Sequence, residues 1–136
     1  MFYFFRIIVY CLFITSCANI VMPTGGKKDL APPRLLSSNP SNKTKNFNNK
    51  NIELYFDENI AENKWSENFN ISPLTENPIG YKIRKNTLTL ETKDNLKKNT
   101  TYCINLNNCI KDLNEGNIIK ELRISFSTGD NFDSLS

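Results

Sequence analysis

Short stretches of this chain alternate apolar and polar residues, and that period of two decides what the chain can fold into. Ile52, Leu54 and Phe56 alternate with Glu53, Tyr55 and Asp57. Tyr81 and Ile83 alternate with Lys82 and Arg84; Leu88 and Leu90 alternate with Thr87, Thr89 and Glu91. Tyr102, Ile104 and Leu106 alternate with Cys103 and Asn105, and Leu122, Ile124 and Phe126 with Arg123, Ser125 and Ser127. Successive side chains of a strand point to opposite faces, so each stretch buries one face and wets the other. Leu35–Leu36 and Phe69–Ile71 read as further strands. Turn residues separate the runs, among them Asn39-Pro40, Pro73, Asn77-Pro78, Lys85-Asn86 and the stretch 114–117.

With 136 residues there is room for one domain. About seven short strands with frequent turns make it all-β, in the pattern of an Ig-like β-sandwich. The stretch 60–68 breaks the alternation and has room for one helical turn, with Ile60 and Trp65 facing inward. Tryptophan is large and mostly buried in folded proteins, so Trp65 is expected in the core rather than as an exposed contact. Leu96-Lys-Lys-Asn-Thr-Thr-Tyr102 is a turn leading into a strand whose first inward residue is tyrosine. That is the setting of a structural tyrosine corner, in which the Tyr102 hydroxyl bonds back to upstream backbone. The asparagine-rich stretch 42–51 reads as a solvated loop.

The first residues carry a different signal. Arg6 precedes an apolar run, Ile7 to Ile14, that is too short for a bilayer core needing ~20 apolar residues. It suits the apolar segment of an export signal. The run ends Ile14-Thr15-Ser16-Cys17, an aliphatic residue and two small ones before a cysteine. This resembles the lipobox of bacterial lipoproteins, with cleavage between Ser16 and Cys17 and diacylglyceryl on the Cys17 thiol. Two or three acyl chains anchor a protein stably without spanning the membrane, since each buried methylene adds ~0.8 kcal/mol. No acidic run follows Cys17, which favours a lipid-anchored protein of the outer membrane facing the periplasm. Residues 17–33 hold Pro23, Gly25, Gly26, Pro32 and Pro33 and read as a tether reaching roughly 20–25 Å.

Export places Cys103 and Cys109 where disulfides persist. A bridge needs the chain to reverse between them so that their Cα atoms come within ~7 Å. The favoured reading is that they stay unpaired.

The absence of histidine removes the commonest general base and zinc ligand. Net charge is only +3, and the basic residues are scattered, which argues against nucleic acid as a partner. Asp57, Glu58, Asp112 and Glu115 fall at strand ends and turns, where solvated carboxylates are ordinary, and no nucleophile motif accompanies them. Asp112, Asn114, Glu115 and Asn117 supply oxygens around Gly116, but the spacing does not fit an EF-hand loop. A polar turn is the simpler reading. No enzyme activity, cofactor or metal is expected.

Cys17-Ala-Asn-Ile-Val21, Pro23-Thr-Gly-Gly26, Lys28-Asp29 and Ala31-Pro-Pro33, followed by Ile52 to Glu58, Ile71-Ser-Pro73, Leu96 to Tyr102, Asp112 to Asn117 and Phe126 to Asp130, occur in an order that resembles Bacteroidota lipoproteins with an SbsA-type bacterial Ig-like domain. The resemblance implies a signal peptide at 1–16, a lipidated tether at 17–33, an Ig-like domain at 34–129 and a C-terminal stub at 130–136. Such proteins usually continue into further domains. The expected role is a noncatalytic envelope module that contacts an envelope protein or the cell wall. The alternatives are a binder of a glycan or small ligand, and a truncated remnant of a larger family member.

Overall fold

The computed structural model describes residues 26–93 and 95–133. In chain order the elements are β1 (Leu35–Asn39), β2 (Asn51–Phe56), β3 (Ile60–Glu62), α1 (Trp65–Asn68), β4 (Asn70–Ser72), β5 (Gly80–Arg84), β6 (Thr87–Glu91), β7 (Thr101–Asn105), β8 (Ile110–Asp112) and β9 (Arg123–Ser127). All strand pairings are antiparallel. One sheet has the order β1-β2-β6-β5, a second β4-β7-β9, and β3 and β8 form a separate pair. This is an Ig-like β-sandwich.

The alternation in the sequence explains the register. Ile52 pairs with Leu90 and Leu54 with Leu88, so one face of the first sheet is continuous aliphatic surface. In the second sheet Tyr102 pairs with Phe126, and Ile104 lies between Ile71 and Ile124. These two faces meet, and their side chains are almost wholly removed from water. Burial of apolar area supplies the main favourable free energy, at about 25 cal/mol per Å2.

Among the described residues the strands number nine rather than about seven. The two additional ones, β3 and β8, have three residues each, too few for an alternation to register. The stretch 60–68 does hold one helical turn, Trp65–Asn68, where Trp65 is buried, and Ile60 faces inward too, from strand β3 rather than from the helix.

The stretch 42–51 is not simply a solvated loop. Its first half runs beside β9, which is otherwise the outer strand of its sheet. The backbone N–H of Lys43 donates to Ser125 O at 2.6 Å, that of Ser127 to Thr44 O at 2.8 Å, and that of Phe47 to Ser127 O at 2.9 Å. An open strand edge carries unpaired peptide groups, and this strap satisfies them. Phe47 locks the strap by packing edge-on against Phe126, ring centroids 4.8 Å apart. Gly129 lets the strand end meet the 96–100 turn: a Cβ there would lie 2.8 Å from the Asn99 Cα. The far edge of the first sheet is protected differently, by a register shift between Leu35 and Ser37 in β1.

Candidate functional site

Ser16 and Cys17, the cleavage and lipidation positions, lie outside the described residues. The residues leading into β1 are held by the sandwich. The Asn117 amide donates to Asp29 O at 3.1 Å, and Pro33 is buried. Arg34 gives Asp57 its backbone N–H at 2.7 Å and its Nε at 3.0 Å. Those bonds, backbone first, draw the Asp57 carboxyl below its ordinary value. Glu58 moves the other way. Burial raises it, and the carboxylates of Asp112, Asp57, Asp29 and Glu115 add to the rise. The chain therefore joins the domain at an acidic end.

Asp112 organises that end. It is buried, and its carboxylate accepts the backbone N–H groups of Glu115, Gly116 and Asn117 at 2.6, 2.7 and 2.9 Å. Gly116 takes the left-handed conformation, φ +82°, that closes the turn. Of the four weak metal candidates, Asp112 thus serves its own turn and Asn117 reaches to Asp29, while Asn114 and Glu115 lie in the turn between them. Among the described residues, no group of three or more Cys, Asp or Glu side chains is placed to hold a metal ion. Burial disfavours the charged form of Asp112, but the N–H groups of Gly116, Asn117 and Glu115 outweigh it and lower its pKa. A lowered folded pKa adds stability above the unfolded value of about 3.9, and that stability is lost as pH falls through the folded value. Between about pH 5 and pH 2.5 the urea midpoint should therefore fall more in the wild type than in Asp112→Asn. Parallel declines would remove Asp112 as the source.

The Tyr102 hydroxyl accepts the Lys97 N–H at 3.0 Å, and the ring is 1% exposed. Cys103 and Cys109 are free thiols. Cys103 lies on the outer face of its sheet, between inward-facing Tyr102 and Ile104, whereas Cys109 is in the core; the intervening turn does not bring them to one side. Burial pushes the Cys109 thiol up to about 11, so it stays protonated and inert at neutral pH.

An uncovered apolar feature lies along the side of the sandwich where β4 and β5 are both outer strands. Trp65 fills the seam between them. It stacks on Phe69 at 4.8 Å and on Tyr81 at 4.0 Å, and Tyr81 donates its hydroxyl to Glu62. Beside the stack is a groove of about 630 Å3, bordered by Ile71, Leu74, Pro78 and Ile79. Leu74 is 78% exposed and Tyr81 39%. Trp65 and Phe69 stand four residues apart, at the start and just past the end of the helical turn. Nothing local in the sequence connects them to Tyr81 or Leu74, which arrive from other segments.

Residues 29–128 match the family described as bacterial Ig-like domain. No curated protein matches the sequence. Among solved structures, the chain is similar to an L,D-transpeptidase from Mycobacterium smegmatis, at 11% identity and TM-score 0.49, covering 73% of this chain and 41% of that one. It is also similar to PcoC, a methionine-rich copper resistance protein from Escherichia coli, at 17% identity and TM-score 0.47, over 71% of this chain and 97% of that one. The N-terminal part of the bacterial S-layer protein SbsC gives 17% identity and TM-score 0.46, over 75% and 24%. Likenesses this distant carry no functional argument.

Proposed function

The chain belongs to the bacterial Ig-like domain family, and from that premise we propose that it is a lipid-anchored, noncatalytic envelope module that holds a partner protein against the β4–β5 seam. The observation that carries this reading is the seam itself, an aromatic stack and exposed leucine beside two outer strands. Contiguous exposed apolar surface rimmed by polar residues favours protein contact. A sugar platform at the same place is disfavoured, because Trp65 has a ring stacked on each side and offers no free indole face.

The anchor rests on the lipobox-like Ile14-Thr15-Ser16-Cys17 behind its apolar run. Kinship with Bacteroidota lipoproteins of the SbsA type rests on the ordered motifs from Cys17 to Asp130, and an outer-membrane, periplasm-facing position on the lack of an acidic run just after Cys17. Tethering to a membrane raises the local concentration of any partner on the same surface. Noncatalytic action is supported by the lack of histidine and by the structural employment of Asp57 and Asp112.

Crosslinking on intact membranes tests the seam. The wild type should yield a reproducible crosslinked envelope protein. Leu74→Glu should abolish that product, and Leu36→Glu, which alters another well-exposed leucine, on β1, should not. Exposed substitutions of this kind change stability by about 0.5 kcal/mol or less, so the comparison reads binding rather than folding. Retention of the product in Leu74→Glu would sink the seam as the contact surface.

A further inference from the structure

Building on the reading of the seam as a contact surface, we infer that its partner is an extended, basic peptide segment that joins the sandwich as an added strand beside β4. β4 is hydrogen-bonded to β7 on one side only. Among the described residues, its other side makes no backbone hydrogen bond. Such an edge presents N–H and C=O groups at the spacing that another extended chain needs. β5 is less open, because β3 lies beside its far end. There Ile60 donates its N–H to Lys85 O at 2.9 Å, and Tyr81 donates its hydroxyl to Glu62.

The groove lies where the added strand would turn its side chains. Along β4, Ile71 is buried between exposed Asn70 and Ser72. Side chains alternate across a strand, and a neighbouring strand lines up with the same faces. Every second side chain of the incoming segment therefore falls next to Ile71, at the groove of about 630 Å3 bordered by Leu74, Ile79 and Tyr81. Apolar residues at those positions would cover Leu74 and take its surface out of water.

Charge decides which segment fits. Glu76 borders the groove, and Glu62 accepts the hydroxyl of Tyr81, which also borders it. Neither carboxylate is in an ion pair with a described residue, and no Lys or Arg occurs among the described residues that line the groove. A lysine or arginine on the incoming strand supplies that countercharge. A second copy of this chain is a poor occupant. A two-fold contact would set the same carboxylates against each other, and like charges across an interface are costly.

Trp65 is the one tryptophan of the chain and borders the groove, so its emission reports what enters. Titration of the full-length lipidated protein in detergent micelles with acetyl-Lys-Val-Thr-Val-Thr-Lys-amide should change that emission saturably. The same peptide with glutamate for both lysines should bind roughly three- to tenfold more weakly in about 50 mM salt, and the gap should narrow toward about 500 mM as the charges are screened. Glu62→Gln with Glu76→Gln should erase the preference, while Glu121→Gln, just before β9, should keep it. A lysine peptide N-methylated on its four central residues cannot donate strand hydrogen bonds and should not bind. Unaltered melting midpoints in the variants keep the readout one of binding. The inference is overturned if the lysine peptide does not bind, or if the glutamate or N-methylated peptide binds as tightly. It can fail without the seam. Survival of the membrane crosslink in Leu74→Glu would remove the seam itself, whereas a Leu74-dependent crosslink that saturating lysine peptide does not suppress would remove only the basic strand as its partner.

Discussion

Cys17→Ala should change both the size of the protein and the cell fraction in which it is found. Alanine has no thiol to accept the diacylglyceryl group, so the acyl chains that would hold the mature protein, worth ~0.8 kcal/mol per buried methylene, are never attached. The proposed export signal before Cys17 should then stay on the chain and raise its apparent mass. Its apolar run is too short to replace the anchor, since a span needs ~20 apolar residues. Among the described residues no helix is long and apolar enough to cross a membrane. The measurement is fractionation with immunoblotting of wild type and variant, together with metabolic labelling by a radioactive fatty acid. Label on the wild type and none on the variant supports the anchor. A variant that partitions wholly into membranes at unchanged size would end the lipoprotein reading, whatever the folded domain does.

Phe126→Ala should lower stability by about 3–5 kcal/mol, the usual cost of emptying an aromatic site in a core. Phe126 is fully buried and holds three features together. It lies opposite Tyr102 in the β7–β9 pairing, stacks on that ring at 5.7 Å, and meets Phe47 of the strap at 4.8 Å. Its loss opens a cavity between the sheets and loosens the strap that covers the β9 edge. Domains of this size are stable by only about 5–15 kcal/mol, so much of the total is at stake. A melting midpoint lower by more than ~10 °C is expected. Phe69→Ala, at the half-buried edge of the seam, should cost less. Equal losses at the two positions would show that Phe126 does not have this central place.

The two variants report on different kinds of information in the chain. The proposal for Cys17 comes from its neighbours alone, because an export signal is read as an extended segment and depends on no fold. The sandwich strands were legible because one face of each must be dry and the other wet, which writes a period of two into the sequence. Tyr102 was legible from the turn before it. β3 and β8 were not, because three residues do not show a period. The strap was hidden as well. Its backbone bonds to β9 leave no trace in side-chain pattern, and Phe47 among asparagines gave only a faint sign.

The sequence by itself determined the all-β class, the strand faces, the corner and the place of the proposed anchor, since each follows from local pattern or a short motif. Only the tertiary structure decided which outer strands stand open, how the strap comes to cover β9, and how Trp65, Tyr81 and Leu74 form one surface. Those are encounters between residues distant in the chain. Their free energy depends on which sheets face each other, and a period of two says only which side of a strand is buried, not what it is buried against.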